Sequence, residues 1–541
     1  MGQQRHLIAF VLLACYLTLF FQLGDLPFMG ADEPRYARIS EEMLLGADFV
    51  TPRLEGAPWL EKPPLLFWVQ ALSFHFFGVS EAAARLPVAL LGLLCALAAG
   101  GLAWHVAGFR AGVLSILILS TSTLFFIFAR AGSTDMPLTA CLTVALVCGY
   151  RATGSRNLIW SLLSGTALGA AALAKGPIAL ILFGGIFTVY FLWIEKLGWH
   201  WRHLLAGTAA FLATSVPWYW SVWAENGYSF FVTFWLNHHL ARVMSDLHHH
   251  SQPFWYYLVV LAVGFFPWTP FLAGSFARLW RSRTGAGPDH SQVFLWIWAA
   301  LPVVFFSLSE SKLPGYILPV VPALALLVAR EWDRDPAGET APARSLRIQW
   351  LVLQGLALLM AAAIVYMSRT FYDSASGLWV ALPLAAAILW GTRESRAGRP
   401  ERAFLSLVGG MVLAAAAAFS FLGPVVENYH SARSLARASQ PMISEDRPLV
   451  LYRYFHHTAL YYTGYQATRE EVPSLAHLRH YSSQHPQADY YLLTKESGWR
   501  DLAVLEGSRS LLKEGNLRLV RLPGESLNQE PPGSPATEGE R

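Results

Sequence analysis

Two short charged motifs stand beside apolar runs near the start of the chain. Asp32-Glu33-Pro34-Arg35-Tyr36 follows the first apolar run, and Glu61-Lys62-Pro63-Pro64 precedes the next one. Carboxylates and cations at a membrane boundary need a reason to be there, because burying them is costly. Arg and Lys bind phosphate oxygens, which leaves a carboxylate for the reacting centre. The two motifs therefore indicate a site for a phosphate-bearing substrate.

The composition is typical of a protein that crosses a membrane several times. Of the 541 residues, 54% are hydrophobic and only 14% are charged, which does not fit an ordinary globular protein. Long apolar runs recur from Leu7 to Leu422, most of them near the ~20 residues that cross a hydrocarbon core of ~30 Å. Membrane lipids are thus the expected surroundings. The net charge of +4, without a basic tract, argues against nucleic acid as a partner.

The cysteines and the first apolar run carry no separate function. The cysteines all lie inside apolar runs, and their spacing fits neither a disulfide framework nor a metal site, so we expect small core residues at Cys15, Cys95, Cys141 and Cys148. The run Leu7 to Leu23 resembles a secretory signal. However, no small-residue cleavage site precedes Asp25, and we therefore expect a retained helix.

Basic residues between the apolar runs predict how the chain crosses the membrane, because Lys and Arg favour the cytoplasmic side. The loops placed there contain Arg5; Arg110; Arg151 and Arg156; Lys196 and Arg202; Arg278, Arg281 and Arg283; Arg330, Arg334, Arg344 and Arg347; Arg393, Arg396, Arg399 and Arg402. The segment Leu65–Gly78 does not fit this alternation, because a crossing there would move the Arg110 loop to the outer side. At about 14 residues it is short for a crossing, so we expect an interfacial or re-entrant helix.

The predicted fold is mainly α, with about 13 membrane helices. With an odd number of crossings, the two ends of the chain lie on opposite sides of the membrane. The N-terminus is then predicted in the cytoplasm and the C-terminal region outside. The predicted crossings are residues 7–23, 86–106, 111–130, 135–152, 158–174, 177–194, 204–223, 254–277, 291–308, 315–330, 347–367, 377–391 and 403–422.

Three parts of the chain differ in composition. A membrane part is predicted over residues 1–423, with interfacial helices in the first outer loop at about 32–79. A small soluble α/β domain follows at 424–523, where Pro448–Tyr454 and Asp489–Leu493 alternate like strands and Pro473–His485 is helical. The tail at 524–541 is rich in Pro, Gly and Glu, and we expect it to be disordered.

This arrangement places the unusual polar residues on one face of the membrane. Cations on the outer side run against the usual preference of Lys and Arg, so orientation does not explain them, whereas binding an anion would. Besides the two motifs, the outer loops carry Asp135, Lys175, Asn237-His238, Arg242, His248–His250, Lys312 and Tyr316.

Each of these residues also has a simpler structural explanation. Glu33 falls in a predicted amphipathic helix, and Asp135 can cap the helix that follows it. Lys175 can extend to the membrane interface. His248–His250 fit a polar turn better than a metal site. These explanations leave open why separated acids and cations meet on one face, and that coincidence favours a function.

The same motifs resemble the bacterial 4-amino-4-deoxy-L-arabinose lipid A transferases. These belong to the polyprenyl-phosphate-dependent membrane glycosyltransferases, which are similar to the dolichyl-phosphate-mannose protein mannosyltransferases. The resemblance covers most of the membrane region in order and is weak after it. It implies a 13-helix bundle of the C-type glycosyltransferase fold with a periplasmic C-terminal domain. Its motifs are the two above, Asp135, Lys175-Gly176, Pro253-Phe254-Trp255-Tyr256-Tyr257, and Lys312-Leu313-Pro314 with Tyr316.

The resemblance also implies roles for single residues. Asp32 matches an essential first-loop aspartate, and Arg35 and Lys62 match positions that hold the carrier phosphate. Glu61 and Asp135 match further acids, so the catalytic candidates are Asp32, Glu61 and Asp135. Relatives often have Glu-His where this chain has Asn237-His238. The remaining substrate-binding candidates are Lys175, Arg242, Lys312 and Tyr316, and the secondary candidates are Glu33, Tyr36 and His238.

The implied reaction moves a sugar from undecaprenyl phosphate to an acceptor on the periplasmic side, such as lipid A. A single displacement would invert the anomeric centre, and no residue demands a covalent intermediate. The expected partners are the lipid-linked donor and a lipid or glycan acceptor. The residues require no cofactor, although Glu61 and Asp135 could share a divalent cation with phosphate.

Two other functions share part of this pattern. A related glycosyltransferase acting on protein or another envelope glycan would have the same donor chemistry. A transporter or flippase for lipid-linked sugars would also need outer cations and many helices, but it should show internal repeats and charges near the membrane midplane. The chain has no obvious repeat, and its acids cluster at one rim, which favours the transferase.

Overall fold

The computed structural model describes residues 2–194, 200–240, 252–282, 289–333 and 343–527. Up to residue 430 these residues are almost entirely helical. The helices are α1 (Gly2–Leu19), α2 (Asp32–Gly46), α3 (Leu65–Phe77), α4 (Glu81–Ala107), α5 (Phe109–Ser120), α6 (Thr123–Ala129), α7 (Asp135–Thr153), α8 (Ile159–Lys175), α9 (Ile178–Trp193), α10 (Trp201–Phe230), α11 (Tyr256–Gly264), α12 (Leu272–Ser282), α13 (His290–Leu308), α14 (Val321–Trp332), α15 (Ala343–Tyr372), α16 (Gly377–Arg396), α17 (Pro400–Ala417) and α18 (Gly423–His430).

A helix overlaps each predicted crossing, and the chain is a multi-pass membrane protein. Among the described residues, six helices are long and apolar enough to cross a membrane, and up to eight qualify if each of two bent pairs is one span. Other predicted crossings, such as α8 and α9, are shorter apolar helices. Most buried aliphatic and aromatic side chains of the bundle form one large core cluster, and smaller clusters lie beside it.

Two predicted crossings are bent in the structure. The axes of α5 and α6 differ by 71°. Here the hydroxyls of Thr121 and Ser122 donate to the carbonyls of Leu117 and Ile118, which ends α5 early. The second bend, of 108°, follows α11. A proline at position 267 or 270 cannot donate the backbone hydrogen bond that would continue a helix.

The predicted first outer loop contains two helices and a small hairpin. The amphipathic helix expected around Glu33 is α2, and the short run before Gly78 is α3, which has 13 residues. These two helices pack against each other. Between them, β1 (Arg53–Leu54) pairs antiparallel with β2 (Ala57–Pro58). The loop thus contains two helices, and their position at the membrane interface stays a prediction.

The C-terminal region contains a four-stranded sheet with helices around it. The strand order is β3 (Val450–Tyr452), β4 (Asp489–Lys495), β6 (Leu517–Pro523), β5 (Arg509–Glu514); the β3–β4 pair is parallel and the other pairs are antiparallel. Strands and a helix thus lie where they were predicted, and the β5–β6 hairpin was missed. Gly524–Leu527 forms a helical turn where the disordered tail was expected, and residues 528–541 lie outside the described residues. The accompanying helices are α19 (Arg433–Ser439), α20 (His457–Tyr462), α21 (Leu475–Gln484) and α22 (Glu496–Leu502).

Candidate active site

A polar cavity of about 790 Å³ opens beside the N-terminal end of α2. Asp32 is the first residue of this helix, and Arg35 lies one turn later. The Arg35 guanidinium donates to Asp32 Oδ1 at 2.5 Å and to the Ala31 carbonyl at 3.1 Å. The Asp32 side chain is 57% exposed, so the pair faces the cavity and remains open to a ligand.

The second motif adds one acid and one cation to the same cavity. Glu61 and Lys62 line it just before α3 begins. Tyr36 also lines it, and its ring packs edge-on against Trp59 and Phe67, which ties α2 to the loop that carries Glu61. Burial raises the pKa of Tyr36 well above its ordinary value, as does nearby Asp32, while Arg35 opposes the shift. Tyr36 is thus a neutral hydrogen-bonding group.

Unlike Asp32, Glu33 is buried and forms an ion pair with a buried arginine. Its carboxylate accepts from the Arg85 guanidinium at 2.8 and 3.0 Å, and both side chains are more than nine-tenths buried. It also accepts from the backbone N–H groups of Met29 and Gly132, at 2.8 and 2.6 Å. Arg85 in turn donates to three carbonyls just before α2, including that of Pro27 at 2.6 Å. This network fixes the start of α2.

We expect Glu33→Gln to lower the stability of the protein. The substitution leaves the Arg85 charge buried without its counter-ion, which costs roughly 3–5 kcal/mol. Thermal unfolding of the purified protein in detergent measures the loss. Glu41→Gln is the matched control, because Glu41 pairs with Arg38 on the same helix at 3.1 Å with both side chains partly exposed. An equal melting temperature for Glu33→Gln and Glu41→Gln would contradict this role.

A second charged group flanks the cavity without lining it. Asp135 begins α7 and accepts a hydrogen bond from the ammonium of Lys175, the last residue of α8. The Lys175 ammonium also lies 4.6 Å from the centre of the Tyr316 ring. Gly176, with a φ of +78°, ends α8 directly after the lysine. A Cβ atom at Gly315 would lie 2.6 Å from Asp135 Cγ, so only glycine permits this close approach.

Of the remaining candidates, Lys312 is the one whose side chain the structure describes, and it does not line the cavity. Lys312 is buried and donates to the Ser309 carbonyl at 2.5 Å, whereas its neighbour Leu313 lines the cavity. Arg242 and His248–His250 lie outside the described residues, as does the side chain of His238.

The described residues do not form a metal cage. In these parts of the chain, no three His, Cys, Asp or Glu side chains converge as metal ligands. Asp135 is engaged by Lys175. A divalent cation shared by Glu61, Asp135 and a substrate phosphate stays a prediction.

Two arginines that were not among the predicted site residues, Arg85 and Arg130, lie in the cavity wall. Arg130 directly follows α6 and is buried, with its guanidinium 3.7 Å from the centre of the Phe419 ring. Both lie at ends of apolar runs that the sequence predicts to face outward. A cation beside a predicted crossing, on the side where Lys and Arg are unusual, is the signal that could have found them.

The C-terminal region also contributes to the surroundings of the site. The Tyr462 hydroxyl accepts from the Phe28 N–H and donates to Glu81, both at 2.8 Å, close to the loop before Asp32. Half-buried His457, on the same helix, lies in the field of Arg35 and Asp32. Burial, and next the Arg35 charge, lower the pKa of His457 to about 4, so it is neutral at pH 7.

An apolar cavity of about 430 Å³ adjoins the polar one. The two share four lining residues, so a ligand with a charged head and a hydrocarbon chain can occupy both. The shared residues are Leu26, Met29, Ile127 and Phe419.

Comparison with known proteins identifies the family. A family model described as dolichyl-phosphate-mannose-protein mannosyltransferase matches residues 61–220. An undecaprenyl phosphate-alpha-4-amino-4-deoxy-L-arabinose arabinosyl transferase of Pectobacterium atrosepticum is 30% identical over 80% of this chain and 79% of its own length. The chain belongs to this arabinosyl transferase family.

Further members of the family agree in sequence and fold. Arabinosyl transferase 2 of Pseudomonas fluorescens is 31% identical over 72% of this chain, a match that spans just under two thirds, 66%, of that relative. The crystal structure of ArnT from Cupriavidus metallidurans bound to undecaprenyl phosphate superposes with a TM-score of 0.78 at 26% identity. That superposition covers 96% of this chain and 98% of ArnT, so the family fold extends through the C-terminal sheet.

Proposed function

We propose that this protein is a membrane glycosyltransferase that moves 4-amino-4-deoxy-L-arabinose from undecaprenyl phosphate to lipid A. The observation that carries the proposal is one cavity lined by both charged motifs, with Asp32, Arg35, Glu61 and Lys62 on its wall. Membership of the arabinosyl transferase family and the likeness to a relative bound to undecaprenyl phosphate support the donor. The adjoining apolar cavity suits a lipid substrate.

The chemistry is a single displacement at the anomeric carbon of the sugar. An acceptor oxygen forms the new bond while the bond to the carrier phosphate oxygen breaks, and its electron pair stays on the departing polyprenyl phosphate. Negative charge therefore grows on that phosphate in the transition state. Lys62 and Arg35 stabilise it electrostatically in a partly dry cavity. Attack from the opposite face inverts the configuration.

Asp32 acts on the other side of the reaction. With a hydroxyl acceptor it serves as the general base that takes the proton. With a lipid A phosphate the nucleophile is already an anion, and the Asp32 carboxylate instead orients the cationic amino group of the sugar. Arg35 holds the Asp32 carboxylate in place through their contact at 2.5 Å. Glu61, on the same wall, is the second carboxylate that can reach the sugar.

The group Asp135, Lys175 and Tyr316 is proposed to support the reaction from behind the cavity wall. Because Asp135 engages Lys175, their charges compensate each other when no substrate is bound. An incoming phosphate can draw the Lys175 ammonium toward itself, since the Tyr316 ring face stabilises the cation along the way. In this proposal Lys312 and Arg242 assist in binding the anionic acceptor.

The proposed topology has 13 crossings, a cytoplasmic N-terminus and a C-terminal domain in the periplasm. Support comes from the basic loops and from helices that overlap each predicted crossing. In this topology the cavity opens toward the periplasm, where the outer leaflet delivers the lipid-linked sugar.

Cysteine labelling tests the orientation. We expect a cysteine at Ala57, which is exposed in the first outer loop, to react with a membrane-impermeant thiol reagent in intact spheroplasts. A cysteine at Asn157, exposed between α7 and α8, should react only after lysis. Background is low, because all four native cysteines are buried. Labelling of position 157 and protection of position 57 in intact spheroplasts would overturn the topology.

One observation favours a second candidate, a transferase that acts on protein. The matching family model is named for protein mannosyltransferases and covers α3 through most of α10. An assay of the purified enzyme with the lipid-linked aminoarabinose donor, offering either lipid A or a Ser/Thr-rich peptide, separates the two. Sugar on lipid A alone supports the proposed function, and sugar on the peptide alone replaces it.

A further inference from the structure

Arg130 stands out among the cations of the polar cavity because of its surroundings. It is 7% exposed and lines the cavity between α6 and α7. One guanidinium nitrogen donates to the Phe21 carbonyl at 2.6 Å, near the end of α1. The guanidinium carbon lies 3.7 Å from the centre of the Phe419 ring.

The charge of Arg130 has no carboxylate partner within ion-pair distance among the described residues. Arg85, on the same wall, is neutralised by Glu33, and Arg35 is paired with Asp32. The charged groups that act on Arg130 are Arg85, which repels it, and Asp25, which attracts it from beyond ion-pair distance. A buried cation without a counter-ion is costly. An anionic ligand would remove that cost.

The position of Arg130 also indicates the kind of ligand. Its aromatic neighbour, Phe419, lines both the polar and the apolar cavity, as does Ile127 in the helix just before it. The guanidinium thus lies where the polar space meets an apolar space of about 430 Å³. An anionic head attached to a hydrocarbon chain fits this junction.

We propose that Arg130 binds a phosphate of the acceptor lipid, one of whose acyl chains enters the apolar cavity. This inference rests on the proposed function. Transfer brings two lipid phosphates into one cavity, and like charges need separate cations to lie close together. Arg35 and Lys62 bind the phosphate of the departing carrier. Arg130 lies on a different part of the cavity wall and binds the phosphate of the acceptor.

The competing explanation is that Arg130 only clamps the end of α1. A cation near a helix C-terminus is favourable, and its hydrogen bond to Phe21 would satisfy that purpose. A clamp would affect the stability of the protein and every kinetic parameter together. A phosphate-binding residue would affect the acceptor alone.

The test compares Arg130→Gln and Arg130→Lys with the wild type in detergent. We expect the KM for lipid A to rise roughly 10- to 100-fold in Arg130→Gln, the effect of losing a charge-assisted hydrogen bond. The kcat and the Kd for undecaprenyl phosphate should stay near wild-type values. Arg130→Lys should show an intermediate KM, because an ammonium keeps the charge and loses the planar fork.

Three outcomes would contradict the proposal. Weaker carrier binding with an unchanged acceptor KM would assign Arg130 to the donor. A lower melting temperature with a uniform loss of activity in Arg130→Lys would make it a clamp, and unchanged kinetics would leave it without a role in binding. If Arg130→Gln does not fold, the intermediate KM of a folded Arg130→Lys decides. Failure of the proposed function is distinguishable, since the wild type itself would then transfer no sugar to lipid A.

Discussion

Asp32→Asn is expected to lower the turnover of sugar transfer by at least about a hundredfold, the scale on which an acid–base group contributes. The substitution removes the negative charge of the carboxylate, and the amide that replaces it has nearly the same shape. Carrier affinity should be unchanged or slightly tighter, because a negative charge is removed near a phosphate. Single-turnover transfer and carrier binding, both measured on purified protein, give the two quantities.

The control for this variant is Glu41→Gln, the same chemical change on the same helix. Glu41 contacts Arg38 and does not line the cavity, so its loss should leave turnover near the wild-type value. An Asp32→Asn enzyme with normal turnover would remove Asp32 from the mechanism. Loss of carrier binding in the same variant would instead make Asp32 a binding residue.

Lys62→Ala is expected to weaken carrier binding and also to slow turnover. The carrier phosphate gains charge as it leaves, so a cation beside it contributes more in the transition state than in the ground state. Losing one such group costs about 3 kcal/mol, or roughly a hundredfold in rate. Carrier affinity and kcat of the variant measure the two parts separately.

A lysine far from the cavity provides the control for Lys62→Ala. Lys513 lies on the edge strand β5 and its side chain is 51% exposed, so Lys513→Ala should bind the carrier and transfer sugar normally. If Lys62→Ala binds the carrier with wild-type affinity and transfers sugar at the wild-type rate, the phosphate site lies elsewhere. Lys312 and Arg242 are then the next positions to substitute.

The local parts of the site could be predicted from the sequence. Asp32 and Arg35 are one helical turn apart, and Glu61 and Lys62 are neighbours, so each pair is visible as charge beside an apolar run. The structure adds that the two pairs line one cavity. Burial of Tyr36 between Trp59 and Phe67 explains how they are joined.

Interactions between distant positions could not be predicted in the same way. The partner of Glu33 is Arg85, and the partner of Tyr462 is Glu81, contacts that no local periodicity indicates. From the sequence, Glu33 groups with Asp32 as a secondary site candidate; the structure places it on the cavity wall, paired with Arg85. The bend after α5 depends on hydroxyl groups at positions 121 and 122, which apolar periodicity does not reveal.

The most direct test of the central claim is mass spectrometry of lipid A from the source bacterium with and without the gene. If the cavity transfers aminoarabinose from undecaprenyl phosphate to lipid A, the lipid A species that carry this sugar disappear on deletion. They return with the wild-type gene and do not return with an Asp32→Asn gene expressed at the same level. An unchanged lipid A spectrum after deletion, in cells that make the lipid-linked donor, would contradict the account.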